Sequence, residues 1–161
     1  MRIPAEALRY VPATRDHLKP GNLFRQGGEW WLITEHPDGK ESDPFGVCLQ
    51  DGVMSYLNTD AGLTLSRDYN WRVALDTLDP VQAAPQCGTV SLGLDGHFIF
   101  GGYHEKKAAF SLPDGNRLTN VRGRAAVYPR WSAEVFRRDH PEFTVAVLFT
   151  IDRGASKGLA A

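Results

Sequence analysis

Apolar and polar positions alternate through Val53-Met54-Ser55-Tyr56-Leu57 and Trp71-Arg72-Val73-Ala74-Leu75, the period-two pattern of strands with one face in the core and one in water. Turn residues stand between such runs. Asp-Gly occurs at Asp38-Gly39, Asp51-Gly52, Asp95-Gly96 and Asp114-Gly115, and Gly27-Gly28 separates Leu23-Phe24-Arg25 from Glu29-Trp30-Trp31-Leu32-Ile33. A tight hairpin needs positive φ at its central residues, which glycine accepts freely and aspartate better than most. Strands are predicted near 23–26, 29–35, 45–50, 53–58, 63–66, 70–75, 89–94, 97–103, 107–112, 121–128 and 143–151. The last of these, Phe143 to Ile151, is apolar on both faces, which predicts a central strand covered on both sides.

Two segments carry helix signals. Pro4 to Tyr10 has proline in its first turn, and Ser132 to His140 has serine as N-cap, Val135 and Phe136 for an apolar face and Pro141 as a stop. Thr77 to Gln86, with Pro80 and Pro85, reads as a connector between strand sets 23–75 and 89–151. No internal repeat shows beyond the recurring hairpin. The expected fold is mainly β, a single-domain antiparallel β-sandwich or barrel built of hairpins with one or two short helices. Residues 1–153 form that domain and 154–161 a flexible tail.

Composition narrows the classes. At 161 residues, 42% hydrophobic and 23% charged, the chain is long enough to bury roughly 70% of its unfolded surface without disulfide or metal. Its longest mainly apolar run, Phe143 to Ile151, falls well short of the about twenty residues that a membrane helix needs. No signal-like segment opens the chain, so the expectation is a cytoplasmic protein without membrane contact. Cys48, in Phe45-Gly46-Val47-Cys48-Leu49, is expected to be buried and inert, and Cys87 to lie in a loop. Neither belongs to a Cys-x-x-Cys pair, so no metal and no cofactor are expected; a disulfide between the two stays open. The formal net charge is −1, with an acidic middle (Asp51, Asp60, Asp68, Asp76, Asp79, Asp95) and a basic end (Lys106, Lys107 and arginines from Arg117 to Arg153).

Three candidate chemistries remain. His97, His104 and Glu105 could form an acid–base site of a hydrolase if a bulge at Gly101-Gly102 turned both histidines into one cleft. No nucleophile elbow or phosphate loop accompanies them, so no catalytic residue is assigned beyond these three. Arg117 to Arg138 mixes arginines with Tyr128 and Trp131, a composition that suits nucleic acid and equally a protein hot spot. In an unbroken strand Arg122, Arg124 and Arg130 would share one face. Trp30 and Trp31 are adjacent, so one should point inward and the other outward. The leading expectation is a non-enzymatic binding protein of inhibitor, antagonist or immunity type. It would contact a protein partner through Trp30, Trp31, Arg122, Arg124, Tyr128, Arg130 and Trp131. The hydrolase and a nucleic-acid-binding module are the alternatives.

Overall fold

The computed structural model describes residues 9–38, 43–58, 62–75, 80–93, 96–103, 106–119, 121 and 125–152. The fold is mainly β, with three antiparallel sheets and no closed barrel. The first sheet has six strands, in spatial order β1 (Tyr10–Pro12), β6 (Leu63–Leu65), β2 (Leu23–Gln26), β3 (Glu29–Thr34), β4 (Phe45–Cys48) and β5 (Met54–Tyr56). The second runs β8 (Val81–Ala83), β13 (Ala125–Tyr128), β9 (Val90–Gly93), β10 (Gly96–Tyr103), β11 (Lys106–Ser111) and β12 (Arg117–Leu118). The third sheet has three strands, β7 (Tyr69–Leu75), β14 (Arg130–Arg137) and β15 (His140–Asp152), with β14 in the middle.

The two larger sheets are one arrangement used twice. Leu23 faces Leu32 as Val90 faces Ile99, and Trp31 faces Cys48 as Phe98 faces Ser111. Gly46 faces Ser55 as Ala109 faces Leu118, and Arg25 faces Leu63 as Leu92 faces Ala126. The halves clasp each other reciprocally. Gly102 N–H donates to the Gly52 carbonyl at 2.8 Å, and Glu35 N–H to the Gly115 carbonyl at 3.0 Å. β7 and β14 then pair across the repeat, Trp131 opposite Leu75 and Trp71 opposite Val135, the reciprocity of an isologous contact. This corrects the sequence expectation of no repeat. The repeated unit conserves strand order and register and shares few identities beyond Leu49/Leu112 and Asp51-Gly52/Asp114-Gly115. Among the described residues β15 has no counterpart in the first half.

Gly52 and Gly115 close the equivalent hairpins β4–β5 and β11–β12 at φ +79 and +72. A Cβ at Gly52 would collide with the Gly88 backbone, and one at Gly115 with the Ile33 carbonyl. Close approach of the two halves therefore needs glycine here as much as the turn does. Leu23, Leu32 and Val47 of the first sheet share one core with Val90, Ile99 and Phe110 of the second and Trp71, Trp131 and Ala133 of the third. Neither cysteine is in a disulfide, Cys48 being buried and Cys87 half-buried.

Three expectations are corrected. Ser132 to Arg137 is strand, because Trp131, Ala133 and Val135 alternate inward and ladders on both sides hold the segment, outweighing the local cap and stop signals. The only helical element among the described residues is a short 3-10 turn, Arg15–His17; of the other proposed helix, Tyr10 opens β1 and residues 4–8 lie outside the described residues. The third correction concerns β15. It is an edge strand of the third sheet, not a covered central one, and Phe143 is 65% and Val147 54% exposed. The proposed tail, 154–161, lies outside the described residues.

Candidate functional site

The third sheet turns one face to the core and one outward. Val73 and Leu75 of β7, Trp131 and Ala133 of β14, and Phe149 and Ile151 of β15 face in. Arg72 and Glu134 are register partners on the other face, and Glu134 and Phe136 stand opposite Val147 and Thr144. The β14–β15 register shifts at Ala133/Glu134, Val135/Phe136 and Phe136/Arg137, irregularities of the kind over-represented at sheet edges.

Arg72 is fixed on that outer face. Its Nε lies 3.4 Å from Glu134 Oε2, its Nη2 donates to Thr144 Oγ1 at 2.9 Å, and its Nη1 donates to the Pro141 carbonyl. The guanidinium also lies 4.9 Å from the Phe136 ring centroid. Thr144 Oγ1 in turn donates to Glu134 Oε2 at 2.7 Å. A half-exposed ion pair of this kind is worth about 0–1 kcal/mol, so the network adds little stability. What it does is hold an arginine and an aromatic ring in one geometry on the face that carries the exposed Val147.

The sequence-derived contact residues are not gathered there. Trp30 is buried, its ring 5.7 Å from Tyr10 and from the Arg25 guanidinium; Trp31 is half-buried against a small second cluster. Trp131 is 2% exposed and edge-on to Phe149 at 5.3 Å. Tyr128 is 8% exposed, with its ring 6.1 Å from His97. Arg130 is exposed and paired with Asp152 at 3.2 Å. Trp30, Tyr128 and Trp131 thus pack inward rather than offering a surface. The chain also leaves the second sheet between Tyr128 and Arg130, at Pro129, so no single strand carries a row through Arg130. Arg122, Arg124, His104 and Glu105 lie outside the described residues. His97 is half-buried on β10 opposite Leu92.

Sequence reasoning missed Arg72, Glu134, Phe136, Thr144 and Val147 as a group. The apolar run holding Phe143 and Val147 was visible, but its edge position depends on long-range pairing. No family model, curated protein or solved structure matches the chain. No helix among the described residues is long and apolar enough to cross a membrane.

Proposed function

We propose that this is a non-enzymatic binding protein, of inhibitor, antagonist or immunity type, that contacts another protein through the outer face of its three-stranded sheet. One observation carries the reading: exposed Val147 stands opposite Glu134, the partner of an arginine already held over an aromatic ring, and exposed Phe143 lies on the same edge strand. Exposed large apolar groups gathered at one surface mark interaction sites, and arginine and aromatics are the side chains enriched in hot spots. An arginine that is ordered before binding loses less side-chain entropy on contact. β15 runs from end to end of β14, whose 8 residues span about 27 Å at the usual strand rise, comparable to the width of an interface of ordinary size.

A protein partner fits better than a polyanion. Arg130 pairs with Asp152 and Arg137 with Asp139, so acidic groups are interleaved with the arginines and lower the local positive potential. The hydrolase alternative rests on His97, half-buried on β10, with His104 and Glu105, which lie outside the described residues. Two cysteines outside any disulfide suit a cytoplasmic setting.

Photo-cross-linking in the source cell tests the proposal. A photoreactive residue at Val147 or Phe143 should give one protein adduct, weakened by Arg72→Ala and missing when the probe sits at exposed Leu92 of the second sheet. Equal adducts from Leu92, or none from either β15 position, would end the reading. An adduct of twice the chain's mass would instead assign the face to self-association.

A further inference from the structure

We infer that Glu29, Cys48 and Asp51 form a binding site for a thiophilic divalent cation of the zinc class. The three residues come from the start of β3, the end of β4 and the β4–β5 turn, and their donor atoms all lie within 4.8 Å of one another. Cys48 Sγ is 3.7 Å from Glu29 Oε2 and 3.7 Å from Gln50 Oε1. With bonds of about 2.3 Å to sulfur and 2.0–2.2 Å to oxygen, tetrahedral ligands around one zinc stand about 3.5 Å apart. Those two separations already approach that value, and the exposed Asp51 side chain needs only a small swing to complete the set.

Two oxygens at this spot are oriented from behind. Trp30 N–H donates to Gln50 Oε1 at 2.8 Å, and Val53 N–H donates to Asp51 Oδ1 at 2.9 Å. Outer hydrogen bonds of this type fix ligand direction in metal sites. The thiol is buried while Glu29 and Asp51 face water, so a cation can arrive from solvent through the carboxylates. Thiolate with carboxylate selects zinc-like metals over magnesium or calcium, which take oxygen alone. Gln50 Oε1 or a water would fill the fourth position.

The internal repeat supplies an independent control. In the second half the same turn is closed by the same backbone bonds. Gly115 N–H donates to the Ser111 carbonyl as Gly52 N–H does to that of Cys48, and Leu112 N–H to that of His97 as Leu49 N–H does to that of Trp30. Yet the positions equivalent to Glu29, Cys48 and Gln50 are Gly96, Ser111 and Pro113. The turn therefore folds without a thiol, a glutamate or an amide there, and folding alone does not account for the donor set in the first half. In the metal-free protein a buried thiol beside two carboxylates keeps its proton. A bound cation reverses that balance: the sulfur–metal bond forms as the S–H bond breaks, and the proton leaves to solvent.

Cobalt(II) is the probe, followed by zinc titration calorimetry on the full chain. The parent should bind one equivalent of cobalt with a thiolate-to-metal charge-transfer band, displaced by zinc with release of a proton. Cys87→Ser should keep the band and Cys48→Ser should lose it; serine at the equivalent position 111 indicates that this variant folds. Glu29→Gln and Asp51→Asn, both at exposed positions, should each weaken zinc by at least the about 10- to 100-fold typical of losing an outer-shell partner. Absence of uptake by the parent, or uptake indifferent to Cys48→Ser and Asp51→Asn, would overturn the assignment.

Discussion

At the scale of single residues, burial sets what Cys48 can do. Desolvation, with the Asp51 charge adding to it, pushes the thiol of the metal-free protein from 9.0 up to about 12. Its folded value lies above its unfolded one, so the stabilisation it allows is whole below pH about 9 and is lost as the pH climbs towards about 12. Each unit of that window is worth about 1.4 kcal/mol at most. Urea unfolding followed across it should show the parent losing stability more steeply than Cys48→Ser, and parallel curves would mean that the thiol is not desolvated. The burial of Cys48 was readable from its apolar neighbours. Its neighbours in space, Glu29 and Asp51, were not, because spacing rules find ligands that share one element and these belong to three.

At the scale of elements, the decisive contest is between β14 and β15. β14 is paired on both edges and buries Trp131, Ala133 and Val135, so its amides can open only when the sheet opens. β15 is paired on one edge and exposes Phe143 and Val147. Hydrogen exchange should therefore be slowest in the interior of β14, with the outward amides of β15 exchanging well before the global limit; a β15 slower than β14 would reverse the topology. Apolar content alone suggested the opposite order. Val145, Ala146 and Leu148 make β15 read as central, while serine at 132 and proline at 141 make β14 read as a helix. Local capping preferences of about 1 kcal/mol are outweighed by burying a tryptophan and a valine, each worth about 1.5–3 kcal/mol. The hairpins Gly27-Gly28 and Asp51-Gly52 were legible because a turn's requirement for positive φ is local to the residues that meet it.

At the scale of the molecule, two related halves share one core and clasp through Gly52 and Gly115, leaving the third sheet as the one part with an unrepeated strand. The connector expected at 77–86 is corrected in part: Val81–Ala83 within it form β8, an edge strand of the second half, and residues 77–79 lie outside the described residues. The repeat itself was not legible, since Trp30 stands where His97 does and Cys48 where Ser111 does, and only register relates them. β15 lies outside that duplication; its Phe149 and Ile151 pack against the shared core while Phe143 and Val147 stand exposed, and the binding proposal depends on those two being free. The unfolding free energy of Phe143→Lys combined with Val147→Lys tests this most directly. Exposed positions change stability by no more than about 0.5 kcal/mol each, so the double variant should unfold within about 1 kcal/mol of the parent while losing its cross-linked partner. A loss of several kcal/mol, the size expected for emptying a core site, would show that β15 is covered by its own fold and that no free face exists.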